Sequence, residues 1–363
     1  MALVLTENSS SSSLQVHLVD ARAEEVLDAS AVEEPAQSEK ARHQFEGLLE
    51  RVSDHHVVGV GYRLVHGGSR ILSPAAVDDD TLDAARANQS LAPLHIPRCS
   101  ISSRPCARDT PGFLTCCALT QPSTPSFPRP RERTPCPWIG DYRCGIRRYG
   151  FHGLSYSRSL RRAAQVLGRR QEDLRLLLTH LGGGCSVCAV RNGRSVQTSM
   201  GVTPLEGVPM TTRSGSVDPG SLLWLQREAG LSIDDITEVL SRRSGLFGLS
   251  EGLSSDTREL VQAAENGDAR ADLAMNVFAH GVRRELAAEA TSLDRVDAVV
   301  FTGEIGWDHP ELREAVCSGL RVIGICGGLK GNRDDDGASA RLPQPYPYSS
   351  CVREKSSGSP GPR

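Results

Sequence analysis

The sequence predicts an α/β fold made of two duplicated domains. A strand–turn–strand pattern occurs at the N-terminus, where Ala2–Leu5 and Leu14–Asp20 flank a polar turn, and again over Leu176–Val190. Amphipathic helical patterns follow both hairpins, and a chain of 363 residues is long enough to form two cores. We expect one domain at residues 1–150, a second at 151–326 and a tail at 327–363.

In the first domain, strands and helices are predicted up to residue 97. Ala21–Val52 is rich in Ala, Glu and Arg and spaces its apolar residues for a helix. Val57–Val65 predicts a buried strand that contains Arg63, and Asp78–Asn88 predicts a helix with an acidic first turn. A buried cation is costly unless an anion pairs with it. Arg63 is therefore either paired with an anion or an arginine whose charged end reaches solvent from a strand edge.

The pattern is lost from Arg98 to Asp141 and again after Cys326. Nine of the 21 prolines lie between Pro97 and Pro137, and proline interrupts both helices and sheets. The C-terminal residues are rich in Gly, Pro and Ser, which is typical of disorder. The amino-acid composition of these segments resembles that of GC-rich DNA translated in the wrong reading frame. We hypothesise compensating frameshifts near Arg98 and Arg143 and a third in the tail.

The second domain shows a complete α/β pattern. Ser232 with Asp235 three residues later predicts a capped helix, and Pro310 predicts the first turn of another. Ala298–Phe301 predicts a buried strand. Further helices are predicted at Leu160–Leu167, at Ser221–Ala229 and along an apolar stripe of Leu273, Val277, Phe278, Val282 and Leu286.

The central stretch, Leu176–Gly215, carries the most specific signal. Its first strand ends at His180, and Gly182–Gly184 precede the next strand. Glycine lets a backbone approach a ligand and exposes amides to an anion, so this is either a phosphate loop or an ordinary glycine hairpin. Arg213, on a loop rich in Gly and Pro, suits phosphoryl oxygens. His152, taken without its flanking motif, is more typical of a buried core histidine than of a ligand-binding one.

The composition argues against several classes of protein. The net charge of −3 gives no general attraction to nucleic acid or to an anionic membrane surface. No apolar run approaches the ~20 residues that span a bilayer, and the N-terminus is unlike a signal peptide. Cys185 and Cys188 have zinc-ligand spacing but no second pair. We expect a cytoplasmic protein that binds neither nucleic acid nor membranes.

Several motifs together resemble the acetate kinase family. They are YRLVHGG, GIRRYGFHG, HLGGG, TSMGVTPLEGVPM and TRSG, and the resemblance covers roughly residues 1–97 and 144–326. It implies a kinase that transfers the γ-phosphoryl group of ATP reversibly to acetate, giving ADP and acetyl phosphate. It also implies Mg²⁺ or Mn²⁺ as cofactor, a homodimer, and the actin-like ATPase (ribonuclease H-like) superfold with a cleft between its domains.

The resemblance assigns roles to individual residues. His152 and Arg213 would stabilise the transferring phosphoryl group, Arg63 would bind the carboxylate, and Asn8 would hold the metal. The residues implied for ATP are Gln15, His180, Leu181, Gly182, Gly183, Gly184, Asp256, Thr257, Arg258, Gly303, Glu304, Ile305, Gly306, Trp307 and Asp308. Asp256–Arg258 is also consistent with an ordinary helix cap. Residues 91–97 would form a loop at the acetyl site.

The chain departs from the family pattern at several of these positions. Gln15 replaces a lysine, Ser216 replaces an acidic residue, and Glu304, Trp307 and Asp308 replace glycine, glutamate and asparagine. The motifs that carry the catalytic aspartate and a metal-binding glutamate are not found. We therefore expect impaired activity, with a nucleotide-binding pseudoenzyme or a non-functional gene remnant as alternatives. A butyrate or propionate kinase is a third alternative.

Overall fold

The fold is taken from a computed structural model. It describes residues 2–9, 14–23, 25–32, 38–40, 43, 47, 57–68, 70–71, 73–87, 114–119, 148–329, 337–341 and 350–353. The chain forms two compact units, Met1–Ser123 and Thr124–Arg363. The predicted acetyl-site loop at 91–97 and the serine turn at 10–13 lie outside the described residues.

The first unit is built on one mixed sheet. Its strands are β1 (Leu3–Ser9), β2 (Leu14–Asp20), β3 (Glu25–Val32), β4 (Val57–Leu64), β5 (Ala75–Ala76) and β6 (Leu114–Leu119), in the order β3-β2-β1-β4-β6-β5. Strands β1, β4 and β6 run parallel, and the other pairs are antiparallel. Leu14, Val16 and Leu18 are buried as the alternating pattern predicts, and helix α1 (Asp79–Ala87) matches the predicted helix.

The second unit repeats this topology. Its strands are β7 (Arg175–Leu181), β8 (Cys185–Arg191), β9 (Arg194–Thr198), β10 (Ala298–Thr302), β11 (Gly337–Arg341) and β12 (Ser350–Arg353). Their order is β9-β8-β7-β10-β12-β11, with β7, β10 and β12 parallel. Each unit thus carries a three-stranded meander, two further parallel strands and an antiparallel edge strand. The prediction of an α/β fold with duplicated domains is confirmed.

The described part of the second unit contains eight α-helices. They are α2 (Gly153–Leu167), α3 (Pro219–Arg227), α4 (Ile233–Arg242), α5 (Gly245–Leu249), α6 (Thr257–Glu265), α7 (Ala269–Ala290), α8 (Gly303–Asp308) and α9 (Pro310–Ser318). Of these, α2, α7 and α8 pack on the sheet. Tyr156, Leu160 and Ala163 of α2 pack on Leu176 and Leu178 of β7. Short 3-10 turns occur at Gln171–Asp173 and Arg321–Ile323.

The helix predicted over Ala21–Val52 is wrong in its first part, which forms strand β3. The Asp20 carboxylate accepts hydrogen bonds from the amides of Arg22 (2.9 Å) and Ala23 (3.4 Å) and so closes a turn after β2. That turn returns the chain antiparallel to β2, where backbone pairing outweighs helix propensity. Farther along, residues 39, 40, 43 and 47 are helical.

Three other predictions need correction. Leu114–Leu119 forms β6 inside the segment in which the sequence shows no strand pattern, because its apolar run pairs with β4. The tail likewise provides β11 and β12, since β12 pairs with the open edge of β10. Leu273, placed in the core stripe of α7, is 55% exposed, whereas Phe278, Val282 and Leu286 are fully buried.

Candidate functional site

His152 occupies a strained turn immediately before α2. Its φ of 63° is uncommon for a residue other than glycine, and such positions cluster at functional sites. The ring Nδ1 lies 2.7 Å from the Ser186 hydroxyl on β8, and the Tyr156 phenol bonds to the same hydroxyl. Burial raises the pKa of Tyr156 well above its usual value, so the phenol keeps its proton. Ser186 and Tyr156 therefore fix the orientation of the imidazole through its Nδ1 atom.

A second imidazole lies against the first. The rings of His152 and His180 stack with centroids 4.2 Å apart and planes inclined by 26°. His180 Nδ1 lies 3.0 Å from the Ser155 hydroxyl, which in turn lies 3.2 Å from the Thr302 hydroxyl at the end of β10. Hydroxyl groups on α2 and β10 thus position this histidine pair.

The glycine turn between β7 and β8 faces both His152 and Arg213. A methyl group added to Gly184 would lie 3.3 Å from His152 Nε2 and 3.4 Å from Arg213 Nη1. Within the described residues, the amides of Gly183 and Gly184 donate to no acceptor, whereas the Gly182 amide donates to the Gly184 carbonyl (3.2 Å). Two basic side chains and unused amides around one small space form an anion-binding arrangement.

Arg213 reaches this space from the loop between β9 and α3. Its Nη1 donates to the Pro204 carbonyl at 3.4 Å and contacts Met210 Sδ at 3.9 Å, and no carboxylate in the described part of the chain forms an ion pair with it. Burial lowers the pKa of the guanidinium, which nonetheless stays protonated. Because a desolvated cation is costly without an anion, this position favours an anionic ligand.

The carboxyl ends of β7 and β10 bring two predicted ATP segments together. The two strands are parallel neighbours, with Thr302 paired to His180. Gly303 follows with a φ of 80°, and a Cβ at this position would lie 2.4 Å from the Leu181 carbonyl oxygen. Only glycine fits this approach, and α8 begins there. Ligands of open α/β sheets bind at such strand ends.

The third predicted ATP segment, Asp256–Arg258, forms the start of α6. Asp256 accepts a hydrogen bond from the Arg258 amide at 2.8 Å and pairs with its guanidinium at 2.6 Å, so the helix-cap interpretation is right. This hydrogen-bonded pair lowers the pKa of Asp256 and raises that of Arg258. Thr257 Oγ1 lies 2.8 Å from Nε2 of the buried His309. Since His309 follows α8 directly, the segment adjoins residues 303–308.

Asn8, Gln15 and Arg63 form a polar cluster on β1, β2 and β4 of the first unit. Asn8 Nδ2 donates to Gln15 Oε1 at 3.1 Å across the β1–β2 pair. Arg63 Nη1 donates to Asn8 Oδ1 at 2.7 Å. Residues assigned separately to metal, ATP and carboxylate binding therefore contact one another. Their convergence with His152 and Arg213 stays a prediction.

The described residues include no preformed carboxylate site for a Mg²⁺ or Mn²⁺ ion. Such ions need several oxygen ligands, usually including carboxylates. The Asn8 side-chain oxygen already accepts from a guanidinium. Within the described ranges, no three His, Cys, Asp or Glu side chains lie close enough together to hold a metal. We therefore derive no chemical step through a metal.

Sequence reasoning missed the hydroxyl and imidazole groups that support the site, namely Ser155, Tyr156, Ser186, Thr302 and His309. One sequence signal could have identified two of them: Ser155 and Tyr156 follow His152 by three and four residues, which places them on the same side of a helix. Ser186 lies in a fully buried strand, where a small polar residue needs a hydrogen-bond partner. Its partners could be known only from the packing of α2 on β8.

Comparison with known proteins places this geometry in a family. The sequence profile of the Acetokinase family matches residues 29–341. The chain is 44% identical over 267 residues to an acetate kinase of Synechococcus sp. (strain JA-2-3B'a(2-13)), a match covering 74% of this chain and 66% of that protein. It is 38% identical over 346 residues to a propionate kinase of Edwardsiella piscicida, covering 89% and 85% of the two chains.

A solved structure of an acetate kinase is also similar to this chain. The crystal structure of Porphyromonas gingivalis acetate kinase matches with a TM-score of 0.84 and 28% identity, covering 98% of this chain and 96% of that one. In the part of the chain described, no helix is both long and apolar enough to cross a membrane. The family profile spans most of the chain, and the sequence and structure matches agree with it, so the chain belongs to the Acetokinase family.

Proposed function

We propose that this chain is an acetate kinase-like phosphotransferase that converts ATP and acetate to ADP and acetyl phosphate, reversibly and at a reduced rate. The observation that carries the proposal is the approach of His152 Nε2 and Arg213 Nη1 to one point beside Gly184. A phosphoryl group there would meet a guanidinium, an imidazole and the Gly183 and Gly184 amides. These donors suit the charge that spreads over three equatorial oxygens during transfer.

We propose one set of proton positions for the hydrogen-bond chain on the Nδ1 side of His152. In it, the protonated Tyr156 phenol donates to Ser186 Oγ, and Ser186 donates its own proton to His152 Nδ1. The remaining ring proton then lies on Nε2, the atom that faces Gly184. His152 would thus donate a hydrogen bond to a phosphoryl oxygen, while Arg213 neutralises its charge.

The nucleotide would extend from this point along the strand ends. The glycine turn would bind the phosphates, and Gly303–Asp308 and Asp256–Arg258 would line the adenosine. Their link through the Thr257–His309 hydrogen bond supports one continuous surface. Glu304, Trp307 and Asp308 are larger or more acidic than the residues of the family pattern, so we expect weaker nucleotide binding.

The acceptor would be a short carboxylic acid. Arg63 is the proposed carboxylate ligand, since it is a half-buried cation whose Nη1 contacts a neutral amide oxygen. Relatives named acetate kinase and propionate kinase both match the chain, so acetate, propionate and butyrate should be compared as acceptors.

A nucleotide-binding pseudoenzyme is the second candidate. It is favoured by the missing family motif that carries the catalytic aspartate. Loss of such a group typically lowers the rate on the order of 10²–10⁴-fold. A non-functional gene remnant would show no cooperative unfolding transition.

Two measurements on the full chain separate these functions. A hydroxamate assay detects acetyl phosphate, and calorimetric titration with ADP detects nucleotide binding. Slow product formation, abolished by Arg213→Ala, would support the phosphotransferase. ADP binding without product would support the pseudoenzyme, and neither signal from a cooperatively folded chain would reject both.

Mg²⁺ or Mn²⁺ dependence is a separate proposal, resting on the resemblance alone. Repeating both measurements with chelator tests it. Unchanged product formation in excess chelator would contradict the implied cofactor.

We also propose a homodimer in the cytoplasm, as the resemblance implies. Exposed apolar side chains on α3 and α4 support it: Leu223 is 52% exposed, Trp224 59% and Ile233 70%. Exposed apolar side chains mark an interaction surface where they are contiguous. Light scattering should give a dimer mass for the wild type and a smaller mass for Trp224→Glu. A monomeric wild type would contradict the proposal.

A further inference from the structure

A basic cleft lies beside the loop that carries Arg213. Its volume is about 390 Å³, and its lining comes from residues 209–216, from Arg243 and Ser244 after α4, and from α5 and α7. Its polar lining consists of Ser214, Ser216, Arg243, Ser244, His280 and Arg284. None of the described lining residues carries a carboxylate. The volume is in the range of small-molecule sites.

The basic groups of the cleft have few partners. The Arg243 and His280 side chains are both exposed to solvent, and in the part of the chain that the structure describes neither makes a hydrogen bond or an ion pair with another side chain. Arg284 contacts the carboxylate of its neighbour Glu285 at 3.4 Å and is 55% exposed, so that contact is weak. Arg243 therefore supplies a full positive charge that no described carboxylate neutralises.

Among the three serines of the cleft, Ser214 and Ser244 already donate their hydroxyl protons to the carbonyls of Gly215 (2.9 Å) and Val239 (2.8 Å), whereas Ser216 can offer its own to a ligand. Ser216 Oγ accepts a hydrogen bond from the Gly207 amide at 3.0 Å, which leaves its hydroxyl proton available. The family pattern has an acidic residue at position 216, and its carboxylate would repel an anion here. Serine at this position changes the cleft from one that repels anions to one that can bind them.

The cleft and the phosphoryl site share one loop. Gly245 packs so closely under this loop that a Cβ would lie 2.1 Å from the Met210 carbonyl oxygen and 2.7 Å from that of Arg213. On the other side, a Cβ on Gly281 would lie 2.6 Å from Pro209 Cδ. An occupant contacting Ser214 and Ser216 would thus touch residues that flank Arg213.

We infer that this cleft binds a small dianion, either a phosphate group or a dicarboxylate, through Arg243, Arg284 and the hydroxyl of Ser216. Charge-assisted hydrogen bonds to a guanidinium are the strongest polar contacts available for such a ligand. Binding here does not depend on the proposed phosphotransferase activity and can be measured in its absence.

Calorimetric titration of the full chain with inorganic phosphate, and separately with malonate, tests this inference. His152→Ala serves as the background, because it weakens the phosphoryl site without touching the cleft. In that background, Arg243→Glu should lower the affinity for the dianion by about tenfold or more. Arg242→Glu is the matched control, since Arg242 pairs with Glu238 at 3.3 Å and does not line the cleft.

Ser216→Asp restores the acidic family residue and should weaken binding in the same direction. Ser216→Asp is also the second test variant, to be used if Arg243→Glu does not show the wild-type melting transition. The tighter of phosphate and malonate identifies the ligand class. The inference would be overturned if the Arg243→Glu and Arg242→Glu variants bound the anion with equal affinity. It would also be overturned if His152→Ala alone abolished binding, or if the chain bound neither phosphate nor malonate.

Discussion

His152 Nε2 and Arg213 Nη1 approach the same small space from different elements, one from the start of α2 and the other from the loop after β9. The two atoms would lie 3.3 and 3.4 Å from a methyl group on Gly184. No bulky side chain occupies this space, because residue 184 is glycine. The relationship makes Gly184 the most direct test of the proposed phosphoryl site.

Gly184→Ala should fill this space while leaving the backbone unstrained. We expect activity, or ADP affinity if turnover is too slow to measure, to fall on the order of 100-fold. Gly47→Ala is the control, since a Cβ at position 47 meets nothing within 4 Å and Gly47 has no role in the proposed site. Equal effects of the two substitutions on calorimetric ADP binding would argue against a ligand at this point.

Gly303→Ala tests the close approach of α8 to β7. The substitution combines a left-handed φ of 80° with a Cβ 2.4 Å from the Leu181 carbonyl oxygen, and should cost about 3 kcal/mol. Gly267→Ala has a similar φ of 88° but open space, and should cost about 1 kcal/mol. Urea denaturation measures both, and a Gly303 variant no less stable than the Gly267 variant would contradict the packing.

Thr257→Val removes the hydrogen bond to His309 at nearly constant volume. If both segments line the adenosine, ADP affinity should fall about fivefold, because one hydrogen bond positions Asp256–Arg258 beside α8. Thr237→Val, which removes an exposed hydroxyl bonded to the Ile233 carbonyl, is the control. Unchanged ADP affinity with a lowered melting temperature would reduce Thr257 to a structural role.

Acid sensitivity should depend on Asp268, the N-cap of α7. Its hydrogen bond with Arg270 lowers its pKa to about 2, from an ordinary value of about 3.9. A carboxylate with a depressed folded-state pKa stabilises the fold above the unfolded-state pKa and loses this effect as the pH falls toward 2.

Asp268→Asn should therefore lower the melting temperature by a few degrees at pH 7, and the difference from wild type should shrink below pH 4. Asp272→Asn, in the same first turn but exposed, provides the comparison. A difference for Asp268→Asn that is constant from pH 7 to pH 3 would refute the role of the ionised carboxylate.

Local sequence determined the features that depend on neighbouring residues. Ser232 and Asp235 form the capping box of α4, and Pro310 opens α9, because caps are satisfied within one helical turn. The alternation in β2 fixed its buried face, and Asp256 caps α6. The family motifs were readable for the same reason, since the glycine turn and its flanking strands are contiguous.

Only the tertiary structure decided the features that depend on distant partners. Strand β3, predicted helical, is fixed by β2 across a turn, and β6 and β12 form because open strand edges accept them. The hydrogen bond from Arg63 to Asn8 crosses 55 positions of sequence, and the approach of His152 and Arg213 crosses 61. The sequence alone thus identified the basic groups as candidates. Burial, strand pairing and the packing of α2 on β8 determined which of these groups share a site. The reason is that such contacts join residues far apart in the chain, which no local sequence pattern relates.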